Sequence, residues 1–134
     1  MREYTVLRAG EAPDFTGDAP GAFLGYGRPL GAEQVAVNMR VLEPHTRHVA
    51  PGFDPAIGHS HSGVEEIYVV VAGEVRMKLG DEIETLGQYD AVLVPPETPR
   101  AVRNDSGEEA RLLMVSVRME DASSQTTWHD EFWP

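Results

Sequence analysis

The 134 residues are 41% hydrophobic, enough for one packed core, and no stretch reaches the apolar length that crosses a bilayer, so a single domain is expected and no membrane partner. With 11 basic against 22 acidic residues the formal charge is −11, which repels a phosphate backbone, and no Lys/Arg cluster overrides it, so nucleic acid is not an expected partner. There is no cysteine, so disulfides and thiolate metal sites are excluded and any metal must be held by His, Asp or Glu.

The opening Met1-Arg2-Glu3-Tyr4-Thr5-Val6 lacks the apolar run of a secretory signal, which makes a cytoplasmic location the expectation. Residues 10–34 carry Gly10, Pro13, Gly17, Pro20, Gly21, Gly25, Gly27, Pro29 and Gly31, and this density of breakers predicts an irregular segment, residues 1–34, packing on the rest. Val35, Val37, Met39 and Val41 alternate with Ala36, Asn38, Arg40 and Leu42, a period-two pattern that predicts a half-buried strand. Pro44 to Gly58 is again rich in Pro and Gly. Glu66–Val71 is a short run of β-formers, Ala72-Gly73-Glu74 a tight turn, and Val75, Met77 and Leu79 face opposite to Arg76 and Lys78, which predicts a hairpin partner for the Glu66–Val71 strand. Gly80-Asp81 turns into Glu82–Leu86, and Ala91–Val94 and Arg100–Asn104 follow. After a turn at Gly107, Glu109–Met119 is a long strand with Leu113, Val115 and Val117 on one face.

At least seven short strands with no amphipathic helix predict an all-β sandwich or barrel, with residues 35–119 as its core and room for one small ligand. Only the tail, residues 120–134, has a stretch that could hold a helical turn, Thr126–Pro134. Its Trp128, Phe132 and Trp133 are expected to cover a barrel end or a subunit contact.

His59-Ser60-His61 is the most informative tripeptide. Residues i and i+2 of a strand point to the same side, so both imidazoles can converge on one point, and Glu66, beyond a turn at Gly63, can return to it from a neighbouring strand. Two imidazoles and a carboxylate form a ligand set for non-haem iron, manganese, nickel or zinc. Glu65 is the rival carboxylate on the opposite face. Two such histidines in an exposed loop would be ordinary polar surface; the strand, the turn and the acid beside them favour a site.

These residues also carry a family resemblance. His59-x-His61, Glu66 and Gly73 are spaced as in the first motif of the cupin superfamily, with Phe53 (beside Gly52) where that motif begins with Gly. The second motif reads Gly, five residues, Pro-x-Gly, two residues, His, three residues, Asn. Here Pro95, Pro99 and Asn104 fall in register over Tyr89–Asn104, while Tyr89 and Glu97 stand in place of the two glycines and Arg100 in place of the histidine. The chain resembles a small single-domain conserved-barrel cupin over residues 35–118. The resemblance implies a double-stranded β-helix or jelly-roll barrel, a metal in its interior, and a homodimer. The aromatic tail and long strand edges are compatible with that dimer.

Arg100 removes the usual fourth ligand, because a guanidinium has no lone pair to offer. Three readings follow. His59, His61 and Glu66 hold a metal while Arg100, with Tyr68 nearby, binds an anionic group of a substrate; or Arg100 pairs with Glu66 and the barrel is metal-free; or Arg100 points outward to a surface acid. His45 and His48 lie in the approach to the motif, where either could line the cavity mouth and His48 could supply the missing imidazole, although loop roles are the simpler expectation. His129 is expected to be packed or solvated, and Tyr68, Met77 and Val102 to lie in the core near the cavity.

Two function classes stay open. Resemblance to cupins implies a metal-dependent oxygenase, isomerase, epimerase, decarboxylase or lyase acting on a small polar, anionic or aromatic molecule, with no separate general base evident. The alternative is a non-catalytic small-molecule-binding module in which Arg100 has replaced a ligand. The chain has no helix-turn-helix and could not itself regulate transcription.

Overall fold

A computed structural model describes residues 3–49, 53–119 and 121–134. Met1, Arg2, Gly52 and Glu120, which entered the readings above, lie outside them. In chain order the elements are β1 (Ala22–Gly25), the single helical turn α1 (Gly27–Leu30), β2 (Val35–Leu42), β3 (Thr46–Arg47), β4 (Gly58–His61), β5 (Glu66–Ala72), β6 (Val75–Leu79), β7 (Glu82–Leu86), β8 (Ala91–Val94), β9 (Arg100–Asn104), β10 (Ala110–Val117) and β11 (Thr126–His129). They form two antiparallel sheets, ordered β1-β2-β10-β5-β8 and β11-β4-β9-β6-β7, with β3 added to β9. The two sheets close on one another as a jelly-roll barrel. Among the described residues no helix is long and apolar enough to cross a membrane.

One end of the barrel is packed. Leu42, Val70, Val94 and Leu112 from the first sheet meet Val75, Met77 and Val102 from the second, all almost fully buried. Truncating one of the larger of these side chains to alanine removes about 2–5 kcal/mol in comparable cores. The other end is hollow and holds the candidate site.

The structure corrects several expectations. The turn at Gly73 does not close a hairpin: β5 pairs with β10 and β8, whereas β6 pairs with β7 and β9. The turn carries the chain from one sheet to the other, and it does so in close contact with β10. Gly73 has φ +74°, and a Cβ there would lie 2.5 Å from the Glu109 carbonyl oxygen. The hairpin partner of β6 is β7. The segment before residue 35 is not wholly irregular, because β1 pairs with β2 over Ala22–Gly25. On β10 the face bearing Leu113, Val115 and Val117 looks outward, and Ala110, Leu112 and Met114 fill the interior.

The tail forms a strand where a helical turn seemed available. β11 pairs with β4 across Thr126–His129. Beyond it, Trp133 is buried against the second sheet, with the Arg103 guanidinium 3.8 Å and that of Arg76 5.7 Å from its ring centroid. Lys78 Nζ lies 4.6 Å from the Phe132 ring centroid and donates to the Phe132 carbonyl oxygen at 2.6 Å. The outward cations of β6 and β9 are thus the seat on which the aromatic tail docks, which explains the binding of two rings to a polar face.

Among the described residues His45, Glu131, Tyr89 (φ +71°) and Glu97 (φ +66°) are the non-glycines with left-handed backbone, and the last two share one kind of tight turn. Each is the third residue of a four-residue turn closed by an i to i+3 bond, Gly87–Asp90 and Pro95–Thr98. These are the positions at which the motif has glycine, so the motif's glycines mark backbone geometry. Left-handed backbone costs a side chain about 1–2 kcal/mol, partly offset by the extra unfolded-state freedom of glycine. Tyr89 is largely exposed and has little packing to lose. Tyr89→Gly is expected to stabilise the fold by up to about 1 kcal/mol in urea unfolding, with no gain for Tyr89→Ala. A loss on the glycine substitution would contradict this account of the turn.

Candidate metal centre

Strand β4 lies between β9 and β11, so both its faces are defined by neighbours. His59 and His61 point into the barrel, with ring centroids 4.9 Å apart, and Ser60 points to the other side, where its Oγ lies 2.9 Å from Nε2 of His129. In the opposite sheet, Glu66 and Tyr68 begin the inward face of β5, while Glu65 is exposed and plays no part. One nitrogen each of His59 and His61 and a carboxylate oxygen of Glu66 lie within 4.8 Å of one another. The three residues expected to share a point do so. His48 reaches the same hollow but is not part of this group, His45 is in an exposed turn, and His129 sits on the far side of β4.

Arg100 sits directly opposite His59 in the β4–β9 register. Cross-strand partners share a face, so the guanidinium enters the barrel just where a fourth ligand would stand. It is fully buried, which removes the reading in which it points outward to a surface acid. Its Nη2 lies 3.5 Å from Glu66 Oε1, and none of its three nitrogens has a hydrogen-bond partner among the described residues. Arg100 is not in the wall of the cavity, so the substrate clamp expected of it is not what this placement supports. It stands behind Glu66 as a counter-charge.

Three groups converge on one oxygen. Glu66 Oε1 accepts from the Tyr68 hydroxyl at 2.8 Å, faces Nε2 of His61 at 3.1 Å, and has the Arg100 guanidinium beyond. Burial alone would raise the Glu66 pKa, but the His61 contact, the Tyr68 hydroxyl and the Arg100 charge outweigh it and hold the carboxyl below its ordinary range. Burial, then the Glu66 charge, push the Tyr68 phenol well above its usual value, so it remains a donor. Burial pulls the His59 pKa down to about 3, helped by His48, His61 and Arg100, so its imidazole is neutral and keeps a lone pair at working pH.

These residues fit a divalent ion. Neutral imidazole and ionised carboxylate are donors for borderline and hard metals. The short His61 Nε2–Glu66 Oε1 approach requires a proton or a metal ion to bridge a nitrogen lone pair and an anionic oxygen.

The hollow above this group has a volume of about 530 Å³. Phe15, Phe23, Ile57, Met114 and Trp128 make its wall largely apolar, with Asn38, Arg40, His48 and Thr126 as polar points. Phe53 packs on Trp128 (centroids 4.5 Å apart), and Trp128 lies 5.9 Å from the ring of His59. A second hollow of about 450 Å³ over α1 and β2 contains none of the candidate ligands.

Arg40 and His48 form a pair that was not legible in the sequence. Arg40 donates through Nε to Nδ1 of His48 at 3.1 Å and through its terminal nitrogens to the carbonyls of Pro20, Ala22 and Val41. A guanidinium only donates, so His48 Nδ1 is the acceptor and the proton of the neutral ring is on Nε2. Burial, then the Arg40 charge, hold the His48 pKa down at about 4.

The comparisons with known proteins agree with this geometry. A family model described as a cupin domain matches residues 45–116. The chain belongs to the cupin superfamily. Among solved cupins, a protein from Bacteroides fragilis is 20% identical, covering 93% of this chain and 95% of its own, with a TM-score of 0.69. A sugar phosphate isomerase of the cupin superfamily from Silicibacter pomeroyi is 21% identical over 81% of this chain and 74% of its own, with a TM-score of 0.63. A Cupin 2 conserved barrel domain protein from Salinispora arenicola is 16% identical, covering 92% of each chain, with a TM-score of 0.61. At these identities the likeness is one of fold. No protein of curated function matches the sequence.

Removing Glu66 from this cupin would leave a buried guanidinium without a counter-charge. Glu66→Ala is expected to lower stability by about 3–5 kcal/mol in urea unfolding with a chelator present, and Glu66→Ala/Arg100→Met to recover much of that loss. A loss below about 1 kcal/mol for the single substitution would show that Arg100 does not depend on Glu66.

Proposed function

We propose that this cupin holds a divalent metal ion through His59, His61 and Glu66 and uses it on a small molecule with an apolar body and an anionic oxygen head. The observation that carries the reading is the meeting of two imidazoles and an ionised carboxylate within 4.8 Å at the floor of the hollow. When bound, the ion supplies Lewis acidity toward an oxygen of the ligand. The chain's own groups do the positioning. Tyr68 and Arg100 hold the Glu66 carboxylate in its ionised form, and the Nε2–H of His48 offers a donor in the cavity wall. The aromatic walls exclude water from the rest of the ligand.

The ligand class follows from the wall. A sugar phosphate, the substrate named for the Silicibacter pomeroyi relative, needs several polar partners for its hydroxyls and a free cation for its phosphate. Here the cation in the wall, Arg40, already donates to three backbone carbonyls and His48. Apolar contact with one anionic chelating end suits this hollow better. Iron, manganese, nickel and zinc all accept such ligands. A second reading, favoured by the 3.5 Å approach of Arg100 to Glu66, is a metal-free binding barrel in which the guanidinium takes the ion's place.

Elemental analysis separates the two. Purified wild type is expected to carry near-stoichiometric metal that His59→Ala loses. Wild type free of metal, with uptake only by Arg100→His, would establish the metal-free reading instead.

The same proposal includes a homodimer, supported by the outer face of the first sheet. Ile67, Leu93, Val35 and Val117 are 44%, 52%, 50% and 57% exposed there, beside Val37, Met39, Leu113 and Val115, with Arg111 as the charged residue on this face of β10. In a chain of charge −11, such a face is where two copies meet without mutual repulsion. Sedimentation is expected to show a dimer that Ile67→Lys converts to monomer; a monomeric wild type would dismiss it.

A further inference from the structure

We infer that Thr126, on the C-terminal strand, is a positioning residue that places the proton of His61 on Nδ1 and thereby turns its Nε2 lone pair toward Glu66 and the metal position. Thr126 lies outside residues 45–116, where the family model matches, so the cupin motifs do not contain it. The register places it directly opposite His61 across β11 and β4, and its Oγ1 is 3.2 Å from His61 Nδ1. A hydroxyl has one proton to donate. That of Thr126 goes to the carbonyl of Ala122 at 2.5 Å. Toward His61 the hydroxyl can therefore only accept, which requires a proton on Nδ1.

The acceptor is held in place. Asp121 Oδ1 receives Ser123 N at 3.1 Å and Ser123 Oγ at 2.8 Å, and Gln125 N donates to the Asp121 carbonyl at 3.0 Å, so the turn that presents the Ala122 carbonyl is closed by its own bonds. Ser62 N donates to the Gln125 carbonyl at 2.8 Å and ties this turn to the end of β4. With an ion bound, donation would thus run one way, from His61 Nδ1 through Thr126 to the Ala122 carbonyl, and leave Nε2, 3.1 Å from Glu66 Oε1, free to ligate. A ligating histidine oriented through its other nitrogen is a recurrent arrangement, and loss of the orienting partner lowers metal affinity by roughly 10–100-fold.

The inference rests on the metal reading above, because without an ion the 3.1 Å approach to Glu66 Oε1 calls for a proton on Nε2. Nitrogen-15 NMR of Zn²⁺-loaded wild type is expected to show His61 protonated on Nδ1, and a metal-bound Nδ1 would overturn the inference without any variant. Thr126→Val, which keeps the shape and removes the hydroxyl, is expected to speed exchange of the Nδ1 proton with water in the loaded protein, and Thr126→Ser to restore the wild-type signal. In competition with a chromophoric chelator, Thr126→Val is expected to bind Zn²⁺ roughly 10–100-fold more weakly than wild type, with Thr126→Ser close to wild type. Equal affinity of wild type and Thr126→Val would overturn the positioning role. If wild type binds no Zn²⁺ at all, the metal reading fails and takes this inference with it, whereas Zn²⁺ binding unchanged in Thr126→Val overturns this inference alone.

Discussion

Taking a carboxylate out of water costs several kcal/mol unless its environment replaces the lost hydration. Glu66, at the start of β5, is nearly buried, and the barrel replaces that hydration with the Tyr68 hydroxyl, the His61 ring and the Arg100 guanidinium. These partners come from different strands. Tyr68 is two residues along β5, His61 is on β4, and Arg100 is on β9 in the opposite sheet. The position of one acid therefore ties the closure of the two sheets to the electrostatics of the hollow between them. Without it the guanidinium would have no counter-charge, and the two imidazoles would face only each other.

Arg100 changes what the site asks of a ligand. A third imidazole as fourth ligand would leave an ion and one carboxylate, while a guanidinium adds a permanent positive charge behind that carboxylate. With Glu66 already matched by Arg100, the two charges of a divalent ion have no further protein anion within the group of ligands. In the proposed metal-bound form the remaining charge would be met by an anion entering from the cavity, which is the ground for proposing an acidic oxygen donor over a neutral sugar. Arg100 acts on the ligand through the charge balance at the ion; it makes no contact with the cavity.

How much of this was legible in the sequence depends on the range of the interaction. His59 and His61 were legible because an i, i+2 spacing on a strand is a local rule, and Glu66 because a strand beginning at a known turn fixes its inward residues. Tyr89 and Glu97 broke the motif's letters yet keep its backbone geometry, so the turns survived where the glycines did not. Reading the Gly73 turn as a hairpin failed because tight turns look alike whether they close a ladder or switch sheets. The difference lies at the start of β10, where the carbonyl of the preceding Glu109 crowds Gly73 from nearly 40 residues away in the sequence. Thr126 escaped because its role comes from register with β4, some 65 residues earlier.

The β2 strand shows the deeper reason. Its more apolar side, Val35, Val37 and Met39, looks away from the interior, while Asn38 and Arg40 look into the hollow. In a solid core this arrangement would be unfavourable; in a barrel that receives a ligand, polar groups must face inward and still be satisfied. Arg40 is satisfied by carbonyls of the N-terminal segment, at Pro20 and Ala22, and that segment must come very close to deliver them. A Cβ at Gly21 would lie 2.0 Å from the Val41 carbonyl oxygen, so only glycine at φ +88° allows the approach. The glycine-rich and proline-rich stretch before residue 35, which reads as disorder of pattern, is the means by which a charged side chain is kept inside the barrel.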